Sequence, residues 1–166
     1  MLLHSLLSLD IAMPAGRLRM RPEEPADDVF LLELFCEARP HLMLLPDPMR
    51  PAMQALQYRA QAASYAARYP VALRVIVLLD GESVGRVLVD AAGDGLHLVD
   101  FAIMADRRGK GLGGIILTAL TDIARAASRP IRLYVSTANP GALRLYLRHG
   151  FREVKRDVAN IEMEWH

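Results

Sequence analysis

Apolar and polar positions along the chain follow two periods, and the order in which these periods alternate predicts the elements. Short apolar or alternating runs bounded by turn residues predict strands, whereas apolar positions recurring every three to four residues predict helices. The predicted strands cover residues 17–21, 71–79, 83–90, 96–104, 131–136, 151–156 and 160–165. The predicted helices cover about 28–38, 52–69, 112–128 and 142–149.

The connections between these elements predict the fold class. Asp80-Gly81 is a strong hairpin signal, and residues 91–95 make the next turn, so three consecutive strands form an antiparallel meander. We therefore expect a mixed α/β domain with a mostly antiparallel central sheet of six to seven strands flanked by helices. No linker or repeat divides residues 17–166, which we predict to be a single domain. Residues 1–16 are predicted to be a ragged N-terminal extension.

Composition and charge narrow the classes of function. The 166 residues are 52% hydrophobic and 23% charged, as in a globular protein, and the net charge of +1 argues against nucleic-acid or membrane-surface binding. A single cysteine is compatible with a cytoplasmic protein without a disulfide framework. The five histidines fall at no metal-ligand spacing, so we expect no metal site.

The most informative segment is a glycine-rich turn between the predicted strand 96–104 and the helix that follows. Backbone N–H groups at the start of a helix are free, and together with the helix dipole they favour an anion such as phosphate. Glycine lets that phosphate approach the backbone closely, since it has no Cβ. The predicted phosphate-binding residues are Arg108, Gly109, Lys110, Gly111, Leu112, Gly113 and Gly114.

Two readings of this turn compete. Gly109-x-Gly111-x-x-Gly114 matches the dinucleotide fingerprint, but four residues separate it from the preceding strand. The next strand, moreover, ends without the acidic residue that would bind a ribose. An NAD-dependent oxidoreductase is therefore a minor alternative.

The other reading joins the turn to a second motif further along the chain. Arg108-x-x-Gly111-x-Gly113 is followed by Asn139-x-x-Ala142-x-x-x-Tyr146-x-x-x-Gly150-Phe151. Together the two motifs resemble the pyrophosphate loop and the catalytic helix of the GNAT N-acetyltransferase superfamily. The resemblance covers about residues 17–165, although the first third carries no motif.

The resemblance implies acetyl-CoA as co-substrate and a splayed pair of strands, the fourth and fifth, that holds its pantetheine arm. The fourth strand would present backbone groups of Phe101, Ala102 and Ile103 to the pantetheine amides. Tyr146 would protonate or stabilise the leaving thiolate. Asn139 would contact the pantetheine, and its position before a helix also makes it an N-cap candidate.

The general base is less clearly indicated. His97 and Asp100 are both candidates on the fourth strand, and their spacing predicts that they face opposite sides of the sheet. Asp100 is also expected to pair with Arg86 or another base. Tyr134 and Ser136 stand on the fifth strand where some relatives carry Glu, which argues against a base there.

Together with these observations, the resemblance implies a cytoplasmic enzyme that moves an acetyl group directly from acetyl-CoA to an amine, and it also implies a possible homodimer. The acceptor, a small molecule or a protein, is not identified, because the first helix pair shows no cluster of acids typical of a polyamine site. The alternative from another class is a non-catalytic acyl-CoA-binding sensor.

Overall fold

Eight strands form one sheet in a computed structural model of the chain, which describes residues 2–91 and 93–166. The strands are β1 Asp10–Met13, β2 Gly16–Pro22, β3 Leu73–Leu79, β4 Glu82–Asp90, β5 Leu96–Ile103, β6 Ile131–Ser136, β7 Arg152–Arg156 and β8 Asn160–Trp165. The helices are α1 Asp28–Glu37, α2 Met49–Arg68, α3 Leu112–Ala126 and α4 Pro140–Arg148. Short 3₁₀ helices cover Leu2–Ser8, Pro25–Asp27, Pro40–Leu44 and Ala105–Arg107.

The sheet order is β1-β2-β3-β4-β5-β6-β8-β7, and every neighbouring pair is antiparallel except β5 and β6. These two strands, predicted as the fourth and fifth, pair only over Leu96–Leu98 and Ile131–Leu133. Beyond that point β5 continues to pair with β4, and β6 with β8. The predicted mixed, mostly antiparallel sheet with one splayed pair is therefore confirmed.

The number of strands differs from the prediction of six to seven, because β1 was missed. Asp10 and the following Pro14 interrupt the apolar pattern, yet β1 pairs with β2 at the edge of the sheet. The preceding 3₁₀ helix buries Leu3 and Leu6 in the core. Residue 1 of the predicted extension and residue 92 of the predicted turn lie outside the described residues, and the domain boundary at residue 17 stays a prediction.

The sheet has two covered faces, and strand alternation distributes the apolar residues between them. Val75 and Val77 on β3 point to the main core, which they share with Ile116 and Leu120 of α3. Ile76 between them is equally buried but points to the other face, where α1 and α2 lie. The helices α3 and α4 thus pack on the main-core face of the sheet. The other face lies under α1 and α2, and polar side chains can be placed between it and these helices.

A partly buried ion pair fixes the entry of the chain into α1. Arg21 on β2 donates from both Nη atoms to the two carboxylate oxygens of Asp27, at 2.7 and 2.6 Å. The backbone N–H of Glu24 donates to the same carboxylate at 2.8 Å. Asp27 is only 6% exposed, and these donors lower the pKa of its carboxyl.

We expect Asp27→Asn to lower the free energy of unfolding by about 2 kcal/mol at neutral pH, because it removes charged hydrogen bonds from a buried site. The native stabilisation is complete above the ordinary pKa of an aspartate. It is lost as the pH falls through the lowered pKa of the folded state. Urea unfolding across this pH range measures both effects. Asp122→Asn removes an exposed carboxylate paired with Arg125 and should cost less than about 0.5 kcal/mol; equal losses would contradict the assignment.

Candidate active site

The glycine-rich turn leads from β5 into α3 through two residues in the left-handed backbone region. Gly109 has φ of 73° and Gly111 has φ of 85°, and Gly111 is the N-cap residue of α3. A Cβ on Gly109 would meet no atom within 4 Å, and one on Gly111 would meet only the Met13 side chain at 3.8 Å. The space above both glycines is therefore open to a ligand at the positive end of α3.

The two later glycines have a different role. A Cβ on Gly113 would lie 3.1 Å from Cδ2 of Leu145, and one on Gly114 would lie 3.3 Å from Nε2 of His149. Leu145 and His149 belong to α4 and its C-terminal cap. These glycines therefore let α4 pack against the first turn of α3, and they contribute only backbone N–H groups to the predicted phosphate site.

Two hydrogen bonds hold the turn against the sheet and α1. Arg108 donates from Nε to the carbonyl oxygen of Ile103 at 2.7 Å, which anchors the turn to the end of β5. The N–H of Ala105 donates to Oε2 of Glu37 at 2.8 Å, which connects the same segment to α1. Lys110 is exposed at the tip of the turn.

Beyond the last β5–β6 pair, a gap opens between the two strands, and the backbone of β5 presents alternate residues to it. The N–H of Met104 donates to the carbonyl of Val84, so the ladder alternation turns the backbone groups of Ala102 towards β4. Those of Phe101 and Ile103 then point into the gap. Of the three predicted pantetheine partners, two thus have backbone groups in the expected direction.

Tyr146 lies in α4 and is 6% exposed. Its ring packs edge-to-face on Phe151, with centroids 5.6 Å apart. Burial raises the pKa of the phenol, and the negative charge of Asp100 raises it further. Tyr146 therefore holds its proton at neutral pH.

Asn139 caps α4, as its sequence position predicted. Its Oδ1 accepts the N–H of Ala142 at 3.0 Å, and Pro140 occupies the first helical position. The Asn139 side chain is exposed. Its predicted contact with pantetheine is independent of the cap and stays a prediction.

The prediction that His97 and Asp100 face opposite sides of the sheet is wrong. Val89 pairs with Leu98 and Leu88 with Asp100, so Val99 is an extra residue in β5, a β-bulge. The bulge reverses the alternation: Leu98 and Phe101 both pack on the main core. His97 and Asp100 consequently share the face covered by α1 and α2.

Asp100 belongs to a charged cluster that sequence reasoning found only in part. The expected partner is present, with Nη1 of Arg86 lying 3.5 Å from Oδ2 of Asp100. Nε of Arg86 lies 3.1 Å from Oε2 of Glu23. No motif in the sequence predicts that Glu23 contacts this site. Enclosure raises the pKa of Asp100, and the positive charges of Arg86 and Arg39 partly offset that effect.

His97 lies between two tyrosines on the same face. Its ring centroid is 5.3 Å from that of Tyr69 at the end of α2 and 6.0 Å from that of Tyr134 on β6. Burial lowers the pKa of His97, which keeps the imidazole neutral at pH 7. A neutral imidazole can accept a proton. His97 and Asp100, the two candidates for the general base, therefore lie on the same face of β5.

Residues 2–91 and 93–166 contain neither a metal-binding cluster nor a membrane-spanning helix. No group of three or more His, Cys, Asp or Glu side chains could hold a metal ion. None of the helices in this part of the chain is long and apolar enough to cross a membrane.

Comparison with known families decides between the two readings of the glycine-rich turn. Residues 30–151 match the family model described as the acetyltransferase (GNAT) family. The chain belongs to the GNAT family. The match confirms the resemblance carried by the two motifs, and it makes acetyl transfer the general class of activity. A search of curated proteins returns no match to this chain.

Solved structures share the fold at low sequence identity. The PaiA N-acetyltransferase from Thermoplasma acidophilum in complex with coenzyme A has a TM-score of 0.69 and 17% identity, over 89% of this chain and 98% of that one. A GNAT family acetyltransferase from Elizabethkingia anophelis with acetyl-CoA bound has a TM-score of 0.62 and 12% identity, over 90% and 97% of the chains. Ard1 from Thermoplasma volcanium has a TM-score of 0.63 and 18% identity, over 89% and 95%.

We expect Gly111→Val to weaken acetyl-CoA binding at least about tenfold, because the side chain would enter the open space above the start of α3. Isothermal titration calorimetry measures the affinity. Gly81→Val is the matched control: Gly81 has φ of 87° and open space around it, but it lies in the β3–β4 hairpin. Similar losses of affinity in both variants would attribute the effect to backbone strain and remove Gly111 from the phosphate site.

Proposed function

We propose that this protein transfers an acetyl group from acetyl-CoA directly to an amine, without a covalent enzyme intermediate. The observation that carries the proposal is the convergence of three features on the β5–β6 gap. The open glycine turn lies at the end of β5, Tyr146 lies in α4, which contacts β6, and Asp100 lies on the face of β5 opposite the main core. Such a gap admits one extended co-substrate and gives an acceptor separate access.

Phosphate and pantetheine would occupy different parts of this site. The N–H groups at the start of α3, with Arg108 and Lys110, supply donors and positive charge for a pyrophosphate. The backbone groups of Phe101 and the N–H of Ile103 supply partners for the pantetheine amides, as an added strand would, whereas the Ile103 carbonyl already accepts from Arg108. An N–H of β5 beside the thioester carbonyl would stabilise its developing negative charge.

The reaction that these groups support has a complete proton balance. The acceptor ammonium loses one proton before its nitrogen attacks the thioester carbonyl, and the C–N bond forms. The C–S bond then breaks, and Tyr146 donates its proton to the leaving thiolate, to be reprotonated from solvent. The amide nitrogen loses its second proton, so one proton is released overall.

Asp100 is the proposed acceptor of the substrate proton, directly or through water. Its carboxylate faces the side of the sheet covered by α1 and α2 and is held by Arg86. Neutral His97 is the second candidate, because it lies on the same face. We also propose a cytoplasmic location, which the single unpaired Cys36 supports, and homodimerisation stays a prediction.

The deciding experiment is calorimetric titration with acetyl-CoA, with NAD as the control ligand, followed by free-thiol release with a panel of amines. Saturable acetyl-CoA binding together with acceptor-dependent thiol release supports the proposal. Binding without release from any amine would instead identify an acyl-CoA sensor. NAD binding, or no binding of either ligand, would reject the acetyl-CoA site.

Tyr146→Phe should lower turnover by about 10²–10⁴-fold, the usual contribution of a general acid. Acetyl-CoA affinity should stay nearly unchanged, because the ring and its contact with Phe151 are retained. Steady-state kinetics and calorimetry on the same preparation measure the two quantities. Unchanged turnover would remove the phenol from catalysis.

The acidic limb of the pH profile identifies the base. A base works only when deprotonated, so kcat/KM should fall as the pH drops through a value above the ordinary range of an aspartate, because the pKa of Asp100 is raised. Asp100→Asn should abolish this limb along with most activity, whereas His97→Asn should retain it. The reverse pattern would assign the base to His97.

A further inference from the structure

A second polar pocket lies on the α1–α2 face of the sheet, beside the closed end of the β5–β6 gap. Its volume is about 230 Å³. The side chains that matter for its chemistry come from β4, β5, β6, β8 and the β4–β5 turn: Asp90, Asp94, His97, Arg132, Tyr134 and Glu162. None of them belongs to either family motif.

Asp90 is the feature that points to a ligand. It lines the pocket and is only 8% exposed, yet its Oδ1 has no hydrogen-bond partner among the described residues. It lies at the end of β4, directly across from His97 in the strand register. A buried carboxylate oxygen without a partner is costly, because it has lost its hydration and gained nothing in return. A cation bound in the pocket beside this carboxylate would offset that cost through its charge.

The balance of charge selects a cation over an anion. Arg132 is committed, with Nε 3.0 Å from Glu164 and Nη1 3.2 Å from Asp94. This leaves Asp90 and Glu162 without a basic partner within 4 Å in the described part of the chain. Arg68 lies nearby, 5.7 Å from the ring centroid of Tyr69, but its side chain is exposed to solvent.

Aromatic rings give the pocket walls that suit an alkylammonium group. His97 and Tyr134 line the pocket, the His97 ring packs edge-to-face between Tyr134 and Tyr69, and Tyr134 is 58% exposed. Ring faces attract an ammonium group, and they also cover the methylenes next to it. Because the imidazole is neutral, it does not repel such a group.

The position of the pocket relates it to the reaction. His97 and Asp100 lie on one face of β5 because of the bulge at Val99, and three residues of strand span roughly 10 Å. The gap opens just beyond Leu98, between them. A chain with one end in the pocket could therefore present its other end beside Asp100.

We propose that the pocket of Asp90, His97, Tyr134 and Glu162 binds a second ammonium group of the acceptor, which makes the substrate a long, linear diamine. The role of the diamine as acceptor rests on the proposed acetyltransferase function. The binding of an ammonium group in the pocket can be tested without measuring acetyl transfer. The acids Asp90 and Glu162 come from β4 and β8, outside the first helix pair, whose sequence shows no acidic cluster.

The test compares α,ω-diamines from propanediamine to octanediamine with n-alkylamines of the same chain length. We expect kcat/KM to favour the longer diamines at least about tenfold over their monoamine partners. Asp90→Asn, which keeps the shape of the side chain, should remove most of that preference and leave monoamine turnover unchanged. Glu162→Gln should act in the same direction, and it tests the pocket from another strand. Asp122→Asn is the control.

Calorimetric titration of octanediamine into the protein separates this inference from the proposed function. Binding to the wild type that Asp90→Asn weakens about tenfold supports the pocket even where no acetyl transfer is found. Acetyl transfer that shows no preference for diamines, or a preference that survives both Asp90→Asn and Glu162→Gln, overturns the pocket and leaves the acetyltransferase intact. Absence of octanediamine binding to the wild type likewise overturns it.

Discussion

The incomplete pairing of β5 with β6 is the constraint on which the rest of this structure depends. The strands share only the segments Leu96–Leu98 and Ile131–Leu133, and each then continues with its other neighbour alone. A parallel pair needs a crossover connection, here through α3, and this connection brings the start of a helix to the end of β5 where the gap is open. The glycine-rich turn at the start of α3 and the unpaired backbone of β5 are thus two consequences of one topological feature.

The bulge at Val99 is the second geometric element, and it determines which side chains can act together. Without the extra residue, Asp100 would share a face with Leu98 and would have to be buried among the apolar residues of the main core. With it, Phe101 packs beside Gly113 of α3, and Asp100 joins Arg86 on the polar face. Bulges often redirect a side chain next to an active site. The same shift brings His97 and Asp100 to one face.

The sequence was sufficient for the features that depend on local patterns. The order of the elements from β2 onwards, the hairpin at Asp80-Gly81, the cap by Asn139 and the glycine-rich turn before α3 all follow from neighbouring residues. Three features could not be found in this way. β1 gains its stability from pairing with β2, the bulge depends on how β4 and β5 align, and the pocket of Asp90 and Glu162 joins residues 72 positions apart. A contact between distant strands leaves no periodic signal, and a one-residue bulge reverses every alternation that a pattern predicts beyond it.

The polar face carries two acidic sites that differ in how their charge is balanced. Near the gap, one buried guanidinium, Arg86, contacts both Glu23 and Asp100, so the cluster retains only about one net negative charge. An aspartate in that setting can accept a proton without needing a permanent cationic ligand. At the closed end of the gap, Asp90 has no such partner among residues 2–91 and 93–166, and the nearest arginine on β6 is already paired. The partly compensated charge of Asp100 suits a carboxylate that must gain and lose a proton. The uncompensated charge of Asp90 suits a carboxylate that must hold a cation. The two sites therefore correspond to the two ends of the diamine that we propose as the substrate.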